Sequence, residues 1–210
     1  MLLRTLVSAS VLGVALASPL ALGHSAPLNA AAPVAAMATF TIDPVHSQMM
    51  FKVRHLGIST VTGRFASFSG TFQIDPATGQ TGAAQLSIDV ASVNTENERR
   101  NGHLKSADFF AADSFPKMTF VSTGIQKLSG NKYKMTGNLT IRGVTKPIVL
   151  DTELAGTRQT ADGWLAAVNM TGTVKRKEFG LMWDRVTEGV AIVADDVTLQ
   201  IEVEAKAPKM

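Results

Sequence analysis

From Thr39 onward this chain alternates apolar and polar residues with a period of two, segment after segment, and that pattern constrains it to β-sheet. Met49, Phe51, Val53 and His55 share one strand face, while Lys52 and Arg54 share the other. Phe68, Gly70, Phe72 and Ile74 line one face of the next segment. Leu86, Ile88 and Val90 follow, then Tyr133, Met135, Gly137, Leu139 and Ile141, then Ile148, Leu150 and Leu154. Trp164, Ala166, Val168 and Met170 continue the series, and Val197, Leu199, Ile201 and Val203 end it. Between them lie turn signals in which Gly or Asn supplies positive φ: Ser129-Gly130-Asn131, Arg142-Gly143 and Asp162-Gly163.

Hairpin turns and strands with one polar face predict an antiparallel rather than a parallel sheet. A sheet of this length curls, and closing it removes the exposed edges. The expected fold is all-β, an antiparallel lipocalin-like barrel of about eight strands with a short helical insertion. Such a barrel has room for packed side chains or for a small ligand. Aromatics make up only 6% of the chain, and several inward candidates are small (Gly70, Gly137, Ala166), which favours a lumen.

The pattern breaks at the insertion. Thr95-Glu96-Asn97-Glu98 forms a capping box, with Thr95 as N-cap and Glu98 at the third helical position. The helix runs toward Lys105, and Ser114-Phe115-Pro116 closes the excursion. Within it, His103-Leu104 and Phe109-Phe110 have the character of a lid over whatever the sheet encloses.

Residues 1–38 are different material. Arg4 precedes an apolar run from Leu6 to Ala17, too short to span a bilayer comfortably, and Ala15-Leu16-Ala17 is a small-x-small cleavage pattern. These residues are expected to be a signal peptide and flexible leader of a bacterial exported protein, and 39–210 one barrel domain in the periplasm. Cysteine is absent, so stability must come from strands and apolar packing rather than disulfides. The net charge of +3 is too weak and dispersed for nucleic acid.

Tests for chemistry exclude most catalytic classes. No Gly-x-Ser-x-Gly elbow and no phosphate-binding glycine loop before a helix is present. His46, His55 and His103 would suffice in number for a zinc site. His46 and His55, however, are nine residues apart, roughly 30 Å on one straight strand. What survives is an apolar lumen with a polar mouth. A hydrocarbon tail buried there gains about 0.8 kcal/mol per CH₂, less the cost of ordering it.

An ordered set of motifs resembles the YceI-like family of exported lipid-binding proteins. The set runs from Phe40-Thr41-Ile42-Asp43-Pro44-Val45-His46-Ser47 through Phe51-Lys52-Val53-Arg54-His55-Leu56-Gly57 and Val61-Thr62-Gly63-Arg64-Phe65. It continues with Gly102-His103-Leu104-Lys105-Ser106, Phe109-Phe110 and Phe115-Pro116. It ends with Gly137-Asn138-Leu139-Thr140-Ile141-Arg142-Gly143-Val144-Thr145 and Arg176-Lys177-Glu178-Phe179-Gly180. The resemblance implies a periplasmic barrel whose lumen binds a polyisoprenoid with a phosphate or quinone head, or a related long-chain amphiphile.

On that reading Phe51, Phe65, Phe68, Leu104, Phe109, Phe110, Met118 and Phe120 line or close the lumen. Arg100, Asn101, His103, His46 and Arg176 meet the head group, with neutral Asn101 making the mouth more positive. The expected partner is the lipid alone, with no catalytic residue, cofactor, metal or nucleic acid. The protein is soluble after signal cleavage, and the sequence leaves room for a homodimer. The rival expectation is an enzyme or redox accessory acting on a bound isoprenoid or quinone through His46, His55 and His103.

Overall fold

A computed structural model describes residues 37–187 and 189–209. The expected leader, 1–38, therefore lies almost wholly outside the described residues. The chain from β1 (Ala38–Ile42) to β13 (Val193–Pro208) forms a closed antiparallel barrel. The first three of its eight staves are each built from two strand pieces. β1 and β2 (Gln48–His55) both run against β13, so together they make one bent stave. The bend at residues 43–47 is pinned by Ser47, whose hydroxyl donates to the carbonyls of Asp43 and Glu204.

β3 (Ser59–Phe65) with β4 (Phe68–Ile74) forms the second stave, paired with β2 and β1. β5 (Thr81–Asp89) with β6 (Val93–Asn94) forms the third, paired with β4 and β3. Five unbroken strands complete the ring: β7 (Lys117–Ser129), β8 (Lys132–Ile141), β9 (Val144–Thr160), β10 (Gly163–Lys175) and β13. Each stave pairs with its successor in sequence, an up-and-down meander that closes where β13 meets β1 and β2. The alternation read from sequence is what makes this closure favourable. Its apolar face turns inward, and the outer wall carries residues such as Lys134, Asn138 and Asp151. That arrangement is the reverse of a lipid-facing barrel.

The two ends differ in construction. At the lower end the connections are tight: 75–80, 130–131 and 161–162. Asp75 forms an Asx-type turn, accepting from the backbone N–H groups of Ala77 and Thr78. These contacts, with that of the Thr78 side chain first among them, hold its carboxyl below the usual range. At the upper end β8 and β9 are joined by Arg142-Gly143, both at positive φ (51° and 74°), as a tight two-residue hairpin loop requires. The two long excursions also leave from this end. One contains α1 (Glu98–Lys105), and the other runs from the 3₁₀ turn Arg176–Phe179 through the small hairpin β11 (Val186–Thr187) and β12 (Val190–Ala191).

The helix starts later than the capping-box reading expects. Asn97, not Thr95, is the N-cap, its side chain accepting from the Arg100 N–H at 2.9 Å. Thr95 is instead buried and engaged by Asn101 and Arg100.

Candidate functional site

The barrel is hollow. A cavity of about 200 Å³ runs through it, roughly ten times or more what one water molecule needs. On β8 the lining extends from Tyr133 to Ile141, about 26 Å of strand and about 20 Å along the axis once strand tilt is allowed for. Met135, Leu139, Leu150, Val168, Leu199 and Ile201 form much of the wall. Arg176 is the one charged side chain among the described lining residues.

The hollow is lined by small residues other than those the sequence points to, Gly82 and Ala84 among them. None of Gly70, Gly137 and Ala166 lines it. The glycines instead let large rings lie flat against the wall. A Cβ at Gly137 would collide with the Phe120 ring, and one at Gly63 with the Phe51 ring. Each ring thus covers a neighbouring strand's glycine instead of crossing the lumen.

The floor is made by Tyr133, whose hydroxyl donates to the Gly79 carbonyl at 2.7 Å and so ties the lower turn across the barrel. The roof is the segment after α1. Leu104, Phe109 and Phe110 line the cavity from above, and Phe110 meets Phe65 edge-on with centroids 5.8 Å apart. Arg142 straps this roof down, donating to the carbonyls of Phe109 (2.8 Å) and Gly180 (3.2 Å).

Beside the roof lies a second chamber of about 220 Å³ that shares Phe51, Val53, Leu104, Phe109 and Val193 with the lumen. His55, Arg100, His103 and Trp183 also border it. His103 packs edge-on against both Phe109 and Trp183 and bonds Asp108 at 2.8 Å. Arg100 donates to the hydroxyl and carbonyl of Thr95. Arg54 borders the chamber too, but its guanidinium donates to Thr60 Oγ1 across the hairpin.

The residues singled out from sequence therefore fall into three groups. Phe51, Phe65, Leu104, Phe109, Phe110, Met118, Phe120 and Arg176 line the lumen. Arg100 and His103 border the second chamber. Phe68, Asn101 and His46 line neither. Phe68 is buried in the wall core. Asn101 is only 3% exposed because its amide oxygen accepts from the N–H and hydroxyl of Thr95, both at 2.8 Å, so it cannot tune the charge of the mouth.

His46 sits at the bend of the first stave, bonded to Asp43 at 3.1 Å. Asp43 is held far below the usual carboxylate range, first by Lys206 and then by His46. Asp43, His46 and Glu204 present three potential ligand atoms within 4.8 Å, but Lys206 already occupies Asp43. The extended strand β2 separates His46 from His55, so the three histidines do not meet, although His55 and His103 border the same chamber. The alternation on β8, β9, β10 and β13 was the signal for the remaining lining residues. Trp183, by contrast, lies in an aperiodic loop and had none.

Arg176 is 5% exposed and is ringed by main-chain acceptors. Nε donates to Ala194 O, Nη1 to Leu181 O and Trp183 O, and Nη2 to Val193 O. Burial lowers its pKa, while Asp184 and Asp195 act in the opposite direction from further away.

Comparison with known proteins bears on this geometry. The model of the YceI-like domain matches residues 40–205. A UPF0312 protein of Pectobacterium atrosepticum is 36% identical over 184 residues, covering 86% of this chain and 92% of its own length. The crystal structure of a YceI protein from Campylobacter jejuni is similar with a TM-score of 0.66 and 39% identity, covering 74% of this chain and 90% of that one. A polyisoprenoid-binding domain from Saccharophagus degradans shares the fold at 21% identity and a TM-score of 0.58, covering 81% of this chain and 99% of its own.

Proposed function

This chain belongs to the YceI-like family, and from that premise we propose that it binds a long-chain isoprenoid lipid in the barrel lumen and carries or sequesters it in the periplasm. The observation that carries the reading is the cavity itself. It is about 20 Å long, walled by aliphatic and aromatic side chains, roofed by Phe109 and Phe110 and floored by Tyr133. An apolar tube of that length rewards an extended hydrocarbon at about 0.8 kcal/mol per CH₂. A compact polar metabolite would gain nothing from the same wall. The binding partner named for the Saccharophagus degradans domain, a polyisoprenoid, has this shape and chemistry.

The leader's charged and apolar pattern is the support for export. Binding rather than catalysis is favoured because the lumen offers a reacting group one guanidinium that is already engaged with carbonyls, and because His46 of the rival reading lies apart from His55 and His103.

The test is organic extraction and mass spectrometry of protein purified without detergent. Wild-type protein is expected to yield a long-chain lipid in near-stoichiometric amount. Leu150→Trp, which places an indole in the lumen, is expected to fold and yield none. Equal lipid in both would show that whatever is retained lies outside the tube.

A further inference from the structure

Resting on the reading just given, we propose that the lumen selects an anionic amphiphile, one whose phosphate or carboxylate group lies against Arg176, over a neutral one such as an isoprenoid alcohol or quinone. Some cations of this protein are paired, Lys175 with Asp196, Lys177 with Asp184, Lys206 with Asp43 and Lys134 with Asp151, and most of the others are exposed to water. Arg176, the most buried cation, has no carboxylate within salt-bridge distance among the described residues. It takes four carbonyls instead.

Carbonyl dipoles satisfy hydrogen bonds, but they leave a full positive charge in an apolar tube. Bringing an ion out of water is costly unless an opposite charge meets it. A guanidinium carries five N–H donors, and four are used here, which leaves one on Nη2. Arg176 is also a lumen wall residue, so a charge that Asp184 and Asp195 offset only from a distance faces the ligand's compartment. It sits at the upper end, below the roof, which directs the anion upward and the tail toward Tyr133. The adjoining chamber offers Arg100, likewise without a carboxylate partner among the described residues, to any part of the group that projects past Phe109.

The experiment uses the fluorescence of Trp183, whose carbonyl accepts from Arg176, in a Trp164→Phe background. The probes are geranylgeranyl monophosphate, geranylgeranoic acid and geranylgeraniol, which share one tail. Both anions are expected to bind about tenfold or more tighter than the alcohol. Most of that preference should survive added salt, because a desolvated pair is weakly screened. R176Q is expected to abolish the preference, bringing the ratio of anion to alcohol affinity to about one whatever the overall affinity, with folding checked by circular dichroism.

Equal binding of the three probes to wild-type protein would overturn the proposal, and so would a preference that R100Q removes and R176Q does not. Should R176Q fail to fold, the wild-type ranking, its salt dependence and R100Q decide the matter alone. Inorganic phosphate is expected not to compete, and competition at comparable concentration would mean a free-anion site and overturn the assignment to a lipid. If neither the alcohol nor the anions bind, the lumen reading itself fails. If the alcohol binds and the anions gain nothing, only the charge selection fails.

Discussion

The two ends of the barrel meet the same need, closing an apolar tube against water, by different means. The lower end uses short turns and one tyrosine hydroxyl placed on a backbone carbonyl. The upper end uses two long excursions that have no regular pairing with the wall. Two arginines hold them in place, Arg142 on Phe109 and Gly180, and Arg176 on four carbonyls of the second excursion and the start of β13. Backbone pairing gives the floor its permanence. The roof depends on a few side-chain donors, and an end held that way can open without unzipping a strand. Traffic into the lumen is therefore expected at the roof.

Arg176→Ala should break this contrast most severely. It leaves four carbonyls without their charged donor and is expected to cost about 3–5 kcal/mol in urea unfolding. Hydrogen-exchange protection should fall first in residues 176–194. Arg142→Ala should cost less, about 2 kcal/mol, but it unstraps the roof, so release of a bound lipid measured by stopped-flow fluorescence should accelerate about tenfold. Tyr133→Phe removes only the floor's hydroxyl. About 1 kcal/mol is expected, with the lipid release rate unchanged, and a faster rate would locate the exit at the floor instead.

The smallest effect concerns acid. Asp43, near the lower end, titrates below its unfolded value because Lys206 and His46 stabilise its charged form. Its contribution is thus complete above about pH 5, begins to fall as pH drops past the ordinary aspartate value near 3.9, and is gone only below the lowered folded value. Asp43→Asn should lower the urea midpoint at about pH 6 and flatten the acid side of the profile.

The same contrast marks what was legible in the sequence. Period-two alternation fixed the wall, since Met49, Phe51 and Val53, or Met135, Leu139 and Ile141, could share an apolar face only in an extended chain. Bends were not legible. Ser47 sets the first through a contact with Glu204, 157 residues away, and no local pattern announces it. At the roof the residue types were noticed but their directions were not. Thr95 and Asn101 satisfy each other in the interior, where the local pattern reads one as a helix cap and the other as part of the polar mouth. Helix orientation there depends on which polar groups find partners, and that is decided only when the excursion docks.

One consequence follows from the rings seated on Gly63 and Gly137. The bore of the tube is set where a side chain is missing, so its gauge can be altered by a single carbon. Alanine at Gly63 would meet only side chains and tip the Phe51 ring toward the axis, narrowing the passage, whereas at Gly137 the added carbon would also press on the Val121 carbonyl. A scaffold of this kind can be re-bored for thinner or shorter tails without being rebuilt.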